Sequence, residues 1–375
     1  MDGETGKGFP VDDSVSNDSL LDTFLRLSLI EGFTFDHFRR LCAFRAEGCL
    51  PGMAPPAVGL LAKAEAALAS PRAGRRAAEV REACERSGIA ILPYGASAYP
   101  EALRGVPGAP LLLYRAGKDR PGGDAVAVVG SRAPTGPGRE FARILSQELA
   151  ARGWTVVSGM ARGIDAAAHR GALRAGGRTV AVLGCGVDVV YPREHAELRE
   201  AILESGAVYS EYPPGSLPMP HRFPERNRIV SGLSRGVVVA EAPERSGALI
   251  TARLALDQGR EVMAVPGNPW YPHTAGSNRL LREGAAPVCS AADVDAVLGP
   301  PASRAGGELA RRVLASLDRE MSLEEIAASA GCAVPALLPC LMEMELANLV
   351  EKTPGNYYKK RNDPGRGSRV RREAR

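Results

Sequence analysis

Cations and one aromatic ring gather in MPHRFPERNRIVSGLS (219–234), where Arg222, Arg226 and Arg228 stand around Phe223 and Asn227. Guanidinium groups pair with phosphates and an exposed ring stacks on a base, so these residue types suit single-stranded nucleic acid. A second reading stays open: Phe223 as a staple under a helix, with the arginines paired to acids such as Glu225. Pro224 suits the first helical position, and Glu225 would then sit near the positive end of the dipole. Elsewhere, small residues follow short apolar runs. Gly130-Ser131-Arg132 follows 125–129. SGMARGID (158–165), with Ser158, Gly159, Arg162 and Gly163, follows 155–157. Arg245-Ser246-Gly247 follows GVVVAEA (236–242). A small-residue turn between strand and helix leaves backbone N–H groups pointing outward at the positive end of a dipole, which favours anions.

Acid–base chemistry has fewer candidates. Asp165 and His169 stand four apart in one helical stretch, but an Asp in a first turn complements the dipole and needs no reaction to explain it. Glu211 and Glu241, near the ends of two apolar runs, are the better enzymatic candidates. The five histidines (37, 169, 195, 221 and 273) show no metal-ligand spacing.

The elements that must position these groups are strands alternating with helices. Short valine-rich runs at 125–129 and 236–242, and at the head of 155–165, 178–188, 207–215 and 261–267, are separated by helical spacing, for example Phe141, Ile144, Leu145 and Leu149. That alternation predicts a doubly wound, mostly parallel α/β sheet with helices on both faces, and ligands in such sheets bind beyond the carboxyl ends of the strands. Neither nucleotide fingerprint is present: the strand ends read GSRAPTG and GCGVDV rather than G-x-G-x-x-G, and no G-x-x-x-x-G-K-[ST] occurs. Phosphate-binding geometry without a nucleotide signature makes a nucleic-acid backbone a serious candidate.

Gly130-Ser131-Arg132, SGMARGID (158–165), AVLGCGVDVVYP (181–192), SEYPPG (210–215), FPERNRIVSGLS (223–234), the run 237–267 and GSNRLLREGA (276–285) occur in the order found in one family. Over about 170 residues the chain resembles DprA, also called Smf, the bacterial DNA-processing protein. The resemblance implies an extended Rossmann-like domain without a nucleotide cofactor. It also implies single-stranded DNA binding, dimerisation, loading of RecA during natural transformation, displacement of single-strand-binding protein, and no catalytic turnover. By it, Arg132, the SGMARGID loop, and Phe223 with Arg226, Asn227 and Arg228 would line the DNA groove. Members often carry a lysine just before the arginine run; here Pro218-Met219-Pro220 leaves His221 and Arg222 to replace it. A phosphoribohydrolase of the cytokinin-activating type is the alternative, but its P-G-G-x-G-T signature is absent and VPGNPW (265–270) departs from it after the first glycine.

The chain has 375 residues and a net charge of +4, unevenly placed. Residues 359–375 hold eight Lys/Arg against two acids, a net of +6, so residues 1–358 carry −2. Nucleic-acid binding must then come from a local patch, with the tail adding salt-sensitive attraction. Seven scattered cysteines without C-x-x-C predict reduced thiols in the cytosol, and no run is long enough to span a membrane. We expect disorder over 1–18, a helical domain over 19–88 and a connecting segment over 89–123 that packs on the sheet domain as an extension of it. The sheet domain then covers 124–299, a linker 300–307, a winged helix 308–360 and a basic disordered tail 361–375. The helical domain resembles a helix-hairpin-helix or SAM-like module. Its turn, Gly32-Phe33-Thr34-Phe35, lacks the second glycine that admits a phosphate, which favours packing over DNA contact. In the winged helix, Ser322-x-x-Glu325 reads as a capping box. The third helix has no Lys or Arg between Cys332 and Val350, so it suits a protein contact better than a DNA groove. Pro339 inside it should kink or shorten it.

Overall fold

The computed structural model describes residues 17–47, 55–117, 124–301, 308–317, 319–346 and 349–361. The expectations of disorder for 1–16 and 362–375, and of a linker over 302–307, lie outside the described residues. Four helices come first: α1 (Asn17–Ser28), α2 (Phe35–Glu47), α3 (Pro55–Ala69) and α4 (Pro71–Arg86). The strands β1 (Ala90–Pro93) and β2 (Leu112–Gly117) follow. The alternating region runs β3 (Ala125–Val129), α5 (Gly136–Ala151), β4 (Thr155–Ser158), α6 (Ile164–Arg174), β5 (Thr179–Leu183), α7 (Ala196–Ser205) and β6 (Ala207–Ser210). It continues with α8 (Arg222–Gly232), β7 (Gly236–Val239), α9 (Gly247–Asp257), β8 (Glu261–Ala264), α10 (Ala275–Arg282), β9 (Ala286–Pro287) and α11 (Ala291–Leu298).

These strands form one sheet in the order β1-β2-β6-β5-β4-β3-β7-β8-β9. From β6 to β9 all neighbours are parallel, while β2 pairs antiparallel with both β6 and β1. The connecting segment therefore lengthens the sheet at one edge. Successive side chains on each strand face opposite ways. On one face Val126 and Val128 of β3 meet α5, α6 and α11 around Leu145, Ile164 and Val294. On the other, Ala127 and Val129 meet α8, α9 and α10 around Ile229, Ala252 and Leu280. Farther along the first face, Leu112 and Tyr114 of β2 and Val208 of β6 share a cluster with Phe24, Leu27 and Phe33. The N-terminal helices thus pack directly on the sheet edge. Their turn at Gly32, with φ +76°, feeds the buried Phe33 into that cluster, and Phe35 N–H donates to the Ala109 carbonyl.

The strand order reverses at β3, which has β4 on one side and β7 on the other. Reversal also moves the connecting helices to the opposite face, and a crevice opens above the carboxyl ends of β3 and β7.

The last elements are α12 (Glu308–Ser316), β10 (Met321–Ser322), α13 (Leu323–Ala330), α14 (Val334–Leu346), β11 (Val350–Thr353) and β12 (Tyr357–Lys360). They have their own core around Val313, Ile326, Leu341 and Tyr358, and a small sheet in the order β10-β12-β11. Ser322 and Glu325 form the reciprocal capping box anticipated from their spacing. α14 passes through Pro339 for 13 residues without being cut short there. Proline forfeits one ladder bond, and burial of Leu337, Leu341 and Met344 holds the helix across the gap. Among the described residues no helix is long and apolar enough to cross a membrane.

Candidate nucleic-acid interface

A cleft of about 480 Å³ occupies the crevice at the strand-order reversal. Its walls are the turn after β3, the loop after β4, the first half of α8, and the loop from β7 into α9. Of the residues singled out from sequence, Gly130, Ser131, Arg132, Gly159, Phe223, Arg226, Asn227, Ser246 and Gly247 line it. Arg162 lines a smaller hollow of about 100 Å³ beside it, to which Arg132, Phe223 and Tyr191 also contribute. The Phe223 ring is thus a partition between two depressions. Ser158, Gly163, Arg222 and Arg228 line neither.

α8 starts at Arg222, two residues before the proline expected at its first position, because Arg222 N–H already closes a turn onto the Met219 carbonyl. Phe223 is therefore helical and half-buried, held between two neighbours. The Arg132 guanidinium lies 5.3 Å from its ring centre, and the Tyr191 ring lies 5.4 Å away at 31°. Arg132 is exposed and has no ion pair among the described residues. Tyr191, 39% exposed, is not a candidate from sequence, although it stands next to last in the run 181–192. Thirty-two positions separate it from Phe223, and no local spacing signals their contact.

Arg226, Arg228, Arg222 and Arg162 are engaged by the protein. Arg226, expected to offer charge to a phosphate, is 4% exposed and turned inward. It donates to the Val182 carbonyl and, at 2.8 Å, to the Gly159 carbonyl. Burial lowers its pKa, while the carboxylate of Asp165 opposes that shift. Arg228 pairs at 2.6 Å with Glu211, both largely buried, and burial raises the Glu211 pKa against the pull of Arg228. Arg222 pairs at 2.9 Å with Glu31, from the turn between α1 and α2, and lies over the Tyr212 ring at 4.5 Å. Hydrogen bonds from His221 and Arg222 lower the Glu31 pKa. Arg162 is exposed and paired with Glu194. The arginines thus find acids, as the alternative reading of the motif had it, but the acids are Glu31 and Glu211 rather than Glu225. Glu225 instead accepts from the Tyr212 hydroxyl.

Several backbone donors at the turns after β3 and β4 are also committed, which narrows the expectation of free amides there. The buried carboxylate of Glu241 accepts from the Thr135 N–H at 2.8 Å and from its hydroxyl at 2.5 Å, at the start of α5. Ser131 N–H donates to the Glu241 carbonyl at 2.7 Å. A Cβ at Gly138 would collide with that carboxylate, so the first turn of α5 is shaped around an acid of its own chain. In the SGMARGID loop, Asp165 accepts from the N–H groups of Gly159 and Ala161 at 3.2 and 3.3 Å, and burial raises its pKa. Gly163 takes φ +79°, and a side chain there would strike the Ser131 carbonyl, so this loop and the β3 turn lock together. Met160 carries φ 55° with its carbonyl held by His195 at 3.0 Å.

Asp165 and His169 do not meet as an acid–base pair. The His169 Nδ1 bonds the Thr179 hydroxyl at 2.7 Å, and that hydroxyl donates to the Val156 carbonyl, so Nδ1 carries the proton. Burial pushes the His169 pKa down to about 3. Glu211 and Glu241, the better acid candidates, are both engaged as above. What the cleft offers a ligand is a half-buried ring, the exposed Arg132 guanidinium beside it, the Asn227 amide, and the exposed Arg245 and Gly247 across from them.

A family model described as DNA recombination-mediator protein A matches residues 90–298, and one described as DprA winged helix domain matches residues 299–356. Protein Smf of Escherichia coli strain K12 is 41% identical over 253 residues, covering 63% of this chain and 68% of the relative. The X-ray structure of DNA processing protein A from Streptococcus pneumoniae is similar with a TM-score of 0.62 and 33% identity. It covers 76% of this chain and 98% of that one. A Helicobacter pylori DNA processing protein A structure, described for its single-stranded DNA binding mode, matches with a TM-score of 0.50 and 29% identity, over 56% of this chain and 95% of its own.

Proposed function

Since the chain belongs to the DNA recombination-mediator protein A family, we propose that it binds single-stranded DNA in the cleft at the strand-order reversal, shields the strand and delivers it to RecA. One observation carries this reading: Phe223, half-buried yet reachable, stands between Tyr191 and the exposed Arg132. A ring braced on one side and flanked by a guanidinium stacks an unstacked base and holds the adjoining phosphate. Asn227 accepts from the Arg226 guanidinium at 3.3 Å and donates to the Gly247 carbonyl at 3.4 Å, two long bonds that a base edge or a phosphate can exchange. Because any base has a face to stack, sequence preference is weak.

No reaction is required of the cleft. Its carboxylates accept hydrogen bonds from the protein, and a DNA strand leaves it chemically unchanged. A homodimer presenting two clefts to one strand gains through effective concentration, and this is the form in which we propose that the protein displaces single-strand-binding protein. Scattered cysteines without C-x-x-C suit work in the cytosol. The test is a fluorescence-anisotropy titration of labelled dT oligomers against a duplex of equal length. Tighter binding of the single strand, weakened by salt, supports the reading; equal or tighter binding of the duplex sinks it.

A further inference from the structure

The loop that leaves β8 carries the most exposed large hydrophobic side chain among the described residues. Trp270 is 88% exposed and Tyr271 beside it 55%. Such exposure on a rigid loop is informative, because a mobile loop would let an apolar ring fold back onto the surface. This loop is braced at both ends. Asn278 exchanges two 3.0 Å hydrogen bonds with the backbone of Gly267, and the Asn268 side chain accepts from Trp270 N–H at 2.9 Å. The Asn268 carbonyl accepts from the Thr274 hydroxyl at 2.7 Å, and Pro266, Pro269 and Pro272 fix the intervening backbone.

The loop emerges from the carboxyl end of β8, and β8 lies next to β7, whose following loop forms one wall of the cleft. The two loops touch: Gly276 N–H donates to the Ala242 carbonyl at 2.8 Å, and a side chain at Gly276 would strike the Pro243 carbonyl. Arg245, exposed and without an ion pair among the described residues, stands on the loop between Phe223 and the tryptophan. Neighbouring strands are about 4.8 Å apart, so the β8 loop lies about 10 Å from the β3 turn along the rim.

We infer that Trp270, with Tyr271, is a second base-stacking platform, on which a single strand leaving the cleft past Arg245 continues. This rests on the proposed DNA reading and extends its site by one strand of the sheet. A ring at this exposure, in a loop that cannot close over it, is pre-organised for a flat partner. The exposed cation between the two rings gives that partner the charge of a phosphate chain.

The chain supplies its own probe, since it has two tryptophans, one before the amino end of β4 and one beyond the carboxyl end of β8. Trp154, just before β4, is 1% exposed with its N–H on Asp295 and serves as the silent control. Titration with dT oligomers from about 4 to about 16 nucleotides should quench tryptophan emission only when the strand is long enough to pass Arg245. Trp270→Ala should weaken the longer oligomers about 5- to 100-fold and leave the shortest unchanged, with Trp270→Phe close to wild type. If labelled long oligomers bind while emission stays constant and Trp270→Ala binds them equally well, the platform is refuted and the cleft stands. If no oligomer binds at any length, both fall. A drop in solution mass on Trp270→Ala with unaltered dT affinity would make the loop a contact between copies and overturn the inference.

Discussion

Arg132→Ala separates charge offered to a ligand from charge used by the fold. Arg132 is exposed, has no ion pair among the described residues and touches Phe223 through a 5.3 Å cation–π contact. Its removal should cost the folded state no more than about 0.5–1 kcal/mol, the range for an exposed interaction of that kind. In a domain of this size that moves the melting temperature by about 2–4 °C. Binding should respond far more. A charge-assisted hydrogen bond is worth about 1.5–3 kcal/mol, so dT affinity at low salt should fall roughly 10- to 100-fold. The slope of log K against log salt should also flatten by about 0.7, as expected when one fewer phosphate of a single strand is neutralised. Arg132→Lys should restore the slope but only part of the affinity, because an ammonium cannot make a planar two-point contact. The assay is anisotropy of labelled dT across a salt series, with thermal melts alongside. An unchanged salt slope in Arg132→Ala would refute the assignment, whatever the affinity does.

Phe223→Leu keeps an apolar group under Tyr191 and removes the ring, so dT affinity should fall about 5- to 100-fold with a melting temperature near wild type; an unaltered titration would show that no base stacks there. Arg228→Ala should do the reverse, lowering stability by up to about 3–5 kcal/mol because it strands the buried Glu211 carboxylate. The Glu211 pKa is raised in the fold, so its contribution is full below the unfolded value and is lost as pH rises; the defect of this variant in urea unfolding should therefore shrink on acidification toward pH 4.5. His169 is held neutral by burial, with a folded pKa near 3 against 6.5 unfolded, so the protein should lose stability as pH falls from 6.5 toward 3. His169→Asn should flatten that loss, and a parallel pH profile in the variant would place the acid sensitivity elsewhere.

The parallel sheet and its site edge were legible because they rest on short-range pattern. Valine-rich runs ending in Gly-Ser-Arg, Ser-Gly and Gly-Cys-Gly became β3, β4 and β5 with their turns on one rim, and Ser322 and Glu325 became a cap. The partners of each charge were not legible, because they come from far along the chain. Arg226 looks like a surface cation among its neighbours, but α8 crosses beneath β5 and β4 and turns that guanidinium into the carbonyls of Val182 and Gly159. Glu31 reaches Arg222 across 191 positions, and Glu241 reaches Thr135 across 106. The connecting segment was expected to pack on the sheet, but the antiparallel strands it forms there were not legible: four and six residues in Pro- and Gly-rich surroundings carry too little alternation to announce a strand.

The carboxylate of Glu241 at the start of α5 has one more consequence. Where related architectures leave that position for a diffusible phosphate, this chain has a tethered acid permanently seated. The domain therefore brings its own counter-ion, and its thermal resistance should be indifferent to added phosphate, sulfate or mononucleotides. On the proposed function, a long strand gripped farther out along the rim would then be free to slide or be handed on, with no single phosphate locked into the heart of the sheet.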